Sequence, residues 1–255
     1  MSVAAHIVIP ARFAATRLPG KPLLDIAGSP MIEHVYRRAA NADVGEVWVA
    51  TDDPRIAETV HGFGGQAVVS RRQHACGADR IHEVACQRQW PDDDLIINVQ
   101  GDEPFIPIGV IRQVTANLRR RPEADIATVC CPFTRLADVL DANTVKVVRD
   151  LADFALYFSR LPIPGGHAQP TADQLPLYRR HLGIYGYRVN ALRRMAEHPA
   201  VELERRESLE QLRLLALGGR IHCADAVAAA PPGVDTPEDL ERSRRYARST
   251  AASCS

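Results

Sequence analysis

Several common functional signatures are missing from this sequence of 255 residues. No G-x-G-x-x-G segment is present, which argues against an enzyme that transfers hydride with a dinucleotide. The P-loop pattern is missing too, because Lys21 is followed by Pro22 rather than by Ser or Thr. The six cysteines include no C-x-x-C pair, and Cys130 and Cys131 are adjacent within an apolar run. We therefore expect free thiols in a reducing cytoplasm.

Excess charge and long apolar runs are also missing. Lys plus Arg and Asp plus Glu each number 31, so any affinity for a polyanion must come from a local cluster, and nucleic acid is not expected as a partner. No leader precedes His6 and no apolar run approaches the length of a membrane span, so we expect no membrane association. With 46% hydrophobic and 24% charged residues, the chain is typical of one globular domain with a buried core.

The first half of the chain alternates apolar runs with helical patterns. The predicted strands are 6–9, 46–51, 95–100 and 125–129, and the predicted helices are 31–42, 54–63 and 107–120. This pattern predicts a mostly parallel open α/β sheet with helices on both faces. Right-handed crossovers place the loops after Ile9, Thr51 and Gln100 at one edge, where such sheets bind ligands.

From Asn143 the pattern changes to strands with polar interruptions, which predicts a smaller β-rich subdomain. The predicted strands are 144–148, 155–158, 182–187 and one near 221, and the predicted helices are 191–197, 208–217 and one from 237. Glycine and proline predict a loop over 162–176. The tail after Arg248 consists mostly of Ser, Thr and Ala, and we expect it to be disordered.

The loop after the first strand collects three cations, Arg12, Arg17 and Lys21, within ten residues. Gly20 permits a close backbone approach, and prolines on either side of the Gly20-Lys21 pair restrict the loop. Such a loop suits a phosphate group. A solvated basic turn is the alternative.

Two aspartates are predicted at the same edge. Asp102 follows a buried strand through Gly101, and Asp235 precedes Thr236-Pro237, a helix-start signal. Either aspartate could be an ordinary turn or capping residue. Their common position beside the phosphate cations instead favours a Mg²⁺ site, because Mg²⁺ binds few carboxylates together with water and substrate phosphate oxygens.

Seven motifs occur in an order that covers nearly the whole chain. They are IPAR at 9–12, TRLPGKPL at 16–23, NVQGDEP at 98–104, YFSR at 157–160, RHLGIYGYR at 180–188, LEQLR at 209–213 and GVDTPEDL at 233–240. Together they resemble the 3-deoxy-manno-octulosonate cytidylyltransferases (CMP-Kdo synthetases), bacterial enzymes that activate the lipopolysaccharide sugar Kdo with CTP. The resemblance implies a Rossmann-like nucleotidyltransferase fold.

The resemblance also implies roles in nucleotide binding and catalysis. The CTP-binding residues would be Pro10, Ala11, Arg12, Arg17, Lys21, Gly77, Arg80 and Gln100. Lys21, Arg12, Asp102 and Asp235 would be catalytic, with Mg²⁺ as the cofactor on the two aspartates. Cys76 and Ala78 depart from the family pattern, which usually has hydroxyl-bearing residues at these positions of the cytosine site.

A sugar-acid site is implied in the second half of the chain. Its residues would be Arg160, His181, Tyr185, Glu210 and Gln211, with Arg160 pairing with the carboxylate. His181 and Tyr185 are four residues apart, so a strand carries them on one face. The residue types alone favour core aromatics, an interior histidine and a solvated helix face, and it is the ordered family resemblance that favours the sugar site.

The resemblance divides a single domain of residues 1–248 into three parts. Residues 1–135 form a nucleotide-binding half, 136–230 a sugar-binding and dimerisation subdomain, and 231–248 a closing helix that carries the metal aspartate, with a tail over 249–255. The expected partners are CTP, Kdo and a second copy of the chain. A synthetase for sialic acid or an amino-modified Kdo, and a non-catalytic nucleotide-sugar-binding protein, are the alternatives.

Overall fold

The computed structural model describes residues 3–14, 18–70, 74 and 77–252. Arg17 and Cys76 lie outside these ranges, so the predictions made for them have no structural counterpart here.

Within the described residues the chain forms eleven strands. They are β1 Ala5–Ala11, β2 Asp25–Ile26, β3 Ser29–Pro30, β4 Glu46–Thr51, β5 Gln66–Val69, β6 Leu95–Asn98, β7 Ile126–Pro132, β8 Lys146–Arg149, β9 Ala155–Ser159, β10 Arg179–Arg188 and β11 Ile221–Asp225.

Nine α-helices connect the strands in the same part of the chain. They are α1 Met31–Ala40, α2 Pro54–Gly62, α3 Gly77–Arg88, α4 Ile108–Arg120, α5 Leu136–Leu140, α6 Val189–Ala196, α7 Glu202–Glu207, α8 Gln211–Ala216 and α9 Pro237–Ala252.

Nine strands form one sheet, whose central path runs β11-β7-β10-β6-β1-β4-β5. Strand β1 pairs in parallel with β4 and β6, and β7 pairs in parallel with β11. Strand β10 is the exception, because it runs antiparallel to both β6 and β7. Strands β8 and β9 form an antiparallel pair that joins the sheet through β10. The prediction of a mostly parallel sheet with an antiparallel second region is confirmed.

The core lies on both faces of the sheet. One apolar cluster packs α1, α2 and α4 against the strands through residues such as Ile32, Val60 and Val110. The other packs α3, α6 and α8 against the opposite face. Six of the seven β1 residues are buried, as expected for a strand covered on both sides.

The reversed direction of β10 positions the functional site. In an otherwise parallel sheet, the carboxyl ends of β1, β4 and β6 share an edge. The amino-terminal part of β10 lies at that same edge, because it runs the other way. Side chains from β10 therefore meet the loops that follow β1 and β6.

Two sequence predictions need correction. The helix expected over 208–217 is the shorter α8, and a separate helix, α7, precedes it and ends where Ser208 adopts a left-handed conformation (φ 52°). The disorder expected from residue 249 is wrong for 249–252, since α9 continues to Ala252. Alanine is a strong helix former, which favours this extension.

Candidate active site

A cavity of about 770 Å³ opens at the edge described above. Nine of the residues predicted from the sequence line it: Gly77, Gln100, Asp102, Arg160, His181, Tyr185, Glu210, Gln211 and Asp235. These residues come from six separate parts of the chain, so the fold brings the predicted nucleotide and sugar sites into one continuous space.

Lys21 connects two carboxylates at one end of this cavity. Its Nζ donates to Asp102 Oδ2 at 2.7 Å and to Asp235 Oδ1 at 3.1 Å. Burial alone would lower the pKa of Lys21, but the two carboxylates outweigh it and raise the pKa. Lys21 is therefore a fixed cation. We call these three residues, one ammonium group between two carboxylates, the Lys21 centre.

The first turn of α9 is capped by Thr236 and Asp239 rather than by the Asp235 side chain. The Thr236 Oγ1 accepts from the backbone N–H of Asp239, and the Asp239 carboxylate accepts from the N–H groups of Asp235 and Thr236. This reciprocal arrangement starts α9. The Asp235 side chain takes no part in these bonds and reaches Lys21 instead.

Two glycines shape the loops around the Lys21 centre. Gly20 has φ +69°, a conformation that side-chain-bearing residues rarely adopt, directly before Lys21. At Gly101 an added Cβ would lie 2.7 Å from the carbonyl oxygen of Pro10. The loop after β6 can therefore pack against the end of β1 only because residue 101 has no side chain.

Arg80 lies behind the first loop rather than in the cavity lining. It is almost fully buried, and its guanidinium donates to Asp52 Oδ2 at 2.9 Å and to the Ala11 carbonyl at 3.3 Å. Burial raises the pKa of Asp52, but Arg80 outweighs that effect and lowers it. Arg80 and Asp52 thus fix the main chain at Ala11, and the exposed Arg12 follows directly.

His181 and Tyr185 share a face of β10, as their spacing predicts. Their ring centroids are 5.2 Å apart, and the His181 ring also packs edge-on against Phe158. Burial lowers the pKa of His181 to about 3, so this side chain is neutral at ordinary pH. Burial raises the pKa of Tyr185. Both side chains therefore present neutral hydrogen-bonding groups.

Arg160 is held at the other end of the cavity by main-chain oxygens. Its guanidinium donates to the carbonyl groups of Glu207, Ala142 and Ser208 at 2.6, 3.0 and 3.4 Å. Lys146, which is fully buried, donates to the carbonyl of Arg160 itself and to those of Asp141 and Thr144. The end of α7 and Ala142 therefore anchor the Arg160 side chain, while Lys146 of β8 anchors its backbone.

The turn between α7 and α8 supplies the last two predicted residues. Glu210 Oε2 accepts from the backbone N–H of Ala78 at 3.3 Å, at the first turn of α3, where a helix favours an anion. Gln211 is buried, and its Nε2 has no hydrogen-bond partner among the described residues. A buried amide without a partner is costly, so this donor suits a ligand oxygen in the cavity.

Glu103 and Arg180 are among the charged residues that line the cavity without having been assigned from the sequence. Burial and the nearby Asp102 raise the pKa of Glu103 to about 8, an effect that Arg180 partly offsets. Both lie inside motifs quoted above, directly beside Asp102 and His181. The sequence signal that could have identified them is their position next to a predicted site residue, because adjacent residues share the same surroundings.

The Lys21 centre also fits a divalent cation. Two carboxylate oxygens converge on a single ammonium, so one cation can contact both. No group of three or more His, Cys, Asp or Glu side chains suited to a metal occurs in the residues that the structure describes. Mg²⁺ does not need such a group, because water and phosphate oxygens complete its coordination.

Comparisons with known proteins agree with this geometry. The cytidylyltransferase family model matches residues 6–221. A 3-deoxy-manno-octulosonate cytidylyltransferase of Pseudomonas fluorescens is 51% identical over 251 residues, covering 96% of this chain and 98% of the relative. The chain belongs to this family. A second member, from Nitrosococcus oceani, is 49% identical over 94% of this chain and 95% of its own length.

Solved structures extend the comparison with the family. CMP:2-keto-3-deoxy-manno-octonic acid synthetase complexed with CTP superposes with a TM-score of 0.89 at 44% identity, covering 97% of this chain and 99% of that one. A cytidylyltransferase from Leptospira borgpetersenii has a TM-score of 0.62 at 16% identity, covering 94% and 84%, which shows the fold alone. The family resemblance inferred from the motifs is confirmed. Among the described residues, no helix has the length and apolar character needed to cross a membrane.

Proposed function

We propose that this chain transfers the cytidylyl group of CTP to 3-deoxy-manno-octulosonate (Kdo) and releases pyrophosphate. One observation carries the proposal: a single cavity joins the Lys21 centre to the aromatic and amide side chains of the predicted sugar site. Relatives 46–51% identical over at least 94% of the chain are named for this activity, which supports the same substrates here.

The reaction requires charge neutralisation and alignment above all. A sugar hydroxyl oxygen bonds to the α-phosphorus, the bond from that phosphorus to the β-phosphate oxygen breaks, and the hydroxyl proton passes to solvent. Catalysis of such transfers is mainly positioning together with cationic stabilisation. Lys21 and Arg12 supply positive charge along the first loop, and Arg17 is expected to add a third cation.

Asp102 and Asp235 are the proposed Mg²⁺ ligands, and their convergence on Lys21 supports this. These residues would hold the ion, which would supply charge neutralisation at the phosphates and lower the pKa of the attacking hydroxyl. The protein contributes the rigid placement of both carboxylates, one after β6 and the other at the start of α9.

CTP recognition is assigned to the loops that follow β1 and β6 and to the start of α3. Gly77 and Gln100 line the cavity, and the Gln100 amide donates to the Gly183 carbonyl at 3.4 Å. Arg80 is assigned to the CTP site indirectly, because its guanidinium donates to the Ala11 carbonyl group and so holds the main chain at that position. Pro10 contributes by closing against Gly101.

The sugar acid is assigned to the Arg160 end of the cavity. Arg160 is held by carbonyl groups that keep its position without neutralising its charge, so a carboxylate can pair with it. His181, Tyr185, Glu210 and Gln211 then provide neutral and acidic groups for sugar hydroxyls.

We further propose that the chain forms a homodimer through its β-rich second half. Four leucines there are more than half exposed: Leu151, Leu156, Leu161 and Leu177. Several exposed leucines within one region of the chain suit an interface. Light scattering on a Leu156→Glu variant tests this, with Val69→Glu at the far edge of the sheet as the control; a monomer is expected only for the first.

A cytoplasmic location is part of the same proposal. The four cysteines of the described residues, Cys86, Cys130, Cys131 and Cys223, are all free thiols, which suits a reducing compartment.

Pyrophosphate release measured with each nucleoside triphosphate, crossed with Kdo, 8-amino-Kdo and sialic acid, tests the function directly. We expect release only with Kdo, with a strong preference for CTP over UTP, because a site that hydrogen-bonds one base edge leaves buried groups unpaired with the other. Faster turnover with one of the other acids would identify a related synthetase. No release with any pair would indicate a protein that binds nucleotide sugars without catalysis.

A further inference from the structure

An irregularity in β10 lies directly beneath the cavity. His181 pairs with Cys130 and Leu182 with Val129 on β7, but the next pair is Tyr185 with Thr128. Two residues of β10, Gly183 and Ile184, are therefore extra relative to β7. Since the insertion is even, His181 and Tyr185 stay on one face of the strand.

The Thr128 hydroxyl fills the hydrogen-bonding needs of this bulge. Thr128 is fully buried, and its Oγ1 lies 2.7 Å from the Ile184 carbonyl and 3.3 Å from the Leu182 carbonyl. The same Oγ1 lies 2.9 Å from His181 Nε2. One buried hydroxyl thus contacts both the bulged backbone and a cavity side chain.

The proton count decides which nitrogen of His181 carries hydrogen. A carbonyl oxygen can only accept, so the single Thr128 hydroxyl proton goes to the Ile184 carbonyl, the nearer of the two. Oγ1 must then accept from His181, which requires a proton on Nε2. In the neutral ring Nδ1 is left as an acceptor, and no described residue donates to it in the structure.

We propose that Thr128 is a positioning residue that holds His181 in the Nε2–H tautomer, so that Nδ1 accepts a hydrogen bond from a hydroxyl of the sugar acid. This inference rests on the proposed function for the identity of the ligand. Two other features support it: Phe158 and Tyr185 pack against the ring and restrict its rotation, and burial keeps the ring neutral. A histidine with the opposite tautomer would offer the sugar a donor instead.

The tautomer can be measured without substrate. We expect the ¹⁵N chemical shifts of the His181 ring in the wild-type protein to show a protonated Nε2 and an unprotonated Nδ1 from pH 5.5 to 8, with His181→Gln used to assign the signals. A protonated Nδ1 in the wild type would overturn the inference, and this readout does not depend on any Thr128 variant folding.

Kinetics of Thr128→Val then test the link to the sugar. The variant keeps the shape of the side chain but removes the hydroxyl, so we expect mixed tautomers and a KM for Kdo raised roughly three- to tenfold, the loss of one neutral hydrogen bond. The KM for CTP and kcat should change by less than about twofold, since the transition state keeps its other contacts. Thr128→Ser should restore both readouts.

Thr115→Val is the matched control. Thr115 is buried to the same degree, but its hydroxyl bonds to the Ile111 carbonyl within α4 and does not contact the cavity. It should leave the His181 signals and the KM for Kdo unchanged. An equal rise in the KM for CTP and Kdo in Thr128→Val, or no rise at all, would contradict the positioning role. Lack of CMP-Kdo formation by the wild type would instead contradict the proposed function, with the tautomer still measurable.

Discussion

The two ends of the cavity hold their cations in different ways. Lys21 is bonded to two carboxylates, from Asp102 and Asp235, whereas Arg160 is bonded to three main-chain carbonyl groups. Carboxylates neutralise a cation, and carbonyl groups fix its position while leaving its charge available. The Lys21 centre itself therefore has one more negative than positive charge and suits a divalent ion, while the Arg160 end suits an anion.

Lys146 repeats the arrangement of Arg160 with a different side chain. Its ammonium is fully buried and makes three bonds of 2.7–2.8 Å, all to carbonyl oxygens. Three donors meet three acceptors, so every proton of the buried charge is used. Because one of those acceptors is the carbonyl of Arg160, the position of the sugar-site cation depends on a residue that does not line the cavity itself.

The largest effects are expected at the Lys21 end. Asp102→Asn and Asp235→Asn should each lower kcat by about a hundredfold or more, the size typical for removing a group that stabilises charge in the transition state. Steady-state kinetics at saturating Mg²⁺ measure this, and calorimetry should show CTP binding retained.

Asp93→Asn is the control for these two variants. Asp93 is exposed and lies just before β6, at the edge of the sheet opposite the cavity. It should leave kcat unchanged. Near-normal turnover in Asp102→Asn or Asp235→Asn would remove that residue from the proposed metal site.

At the other end, Arg160→Ala should act on the sugar acid alone. Leaving a charge unpaired costs about 2–5 kcal/mol, so the KM for Kdo should rise by well over about tenfold while CTP affinity measured by calorimetry stays nearly constant.

Arg119→Ala on the exposed end of α4 is the matched control and should change neither constant. If Arg160→Ala weakened CTP binding and left the KM for Kdo unchanged, the substrates assigned to the two ends of the cavity would have to be exchanged. Such a result would break the comparison between the Lys21 and Arg160 ends.

Lys146→Met separates stability from substrate binding at the Arg160 end. Methionine fills a similar volume but leaves three carbonyl groups without a donor, so the free energy of unfolding should fall by roughly 2–3 kcal/mol. Urea denaturation measures this loss. The KM for Kdo should rise as well, with that for CTP unchanged; an unaltered KM for Kdo would show that Arg160 keeps its position without Lys146.

The sequence was sufficient for the Lys21 end and incomplete for the Arg160 end. Asp102 was predicted correctly to meet the first loop, because loops after parallel strands share an edge and that rule needs no side-chain detail. The helix α3 and the strand β5 were not predicted, since neither has a clear apolar pattern.

Several main-chain features were not predicted from the sequence, for a different reason. The bulge at Gly183 and Ile184, the left-handed Ser208 and the carbonyl partners of Lys146 depend on register and turn geometry, which any residue type can satisfy. Burial of Arg80 was missed because arginine is usually exposed.

The last expected effect concerns the pH dependence of stability and the neutral His181. Burial lowers its pKa to about 3, whereas an unfolded histidine has a pKa of about 6.5. Between these values the unfolded chain binds a proton that the folded chain does not, so stability contributed by the neutral ring is present above about pH 6.5 and is lost as the pH falls.

The His181→Gln side chain cannot titrate. The variant's free energy of unfolding should therefore decrease less steeply from pH 6.5 to 4 than that of the wild type, by up to about 1.4 kcal/mol per pH unit. Urea denaturation at several pH values measures the slope, and Thr115→Val, which changes no titratable group, should keep the wild-type slope. Equal slopes for His181→Gln and the wild type would mean that His181 is protonated in the folded protein, and the neutral tautomer that links Thr128 to the sugar site would have to be abandoned.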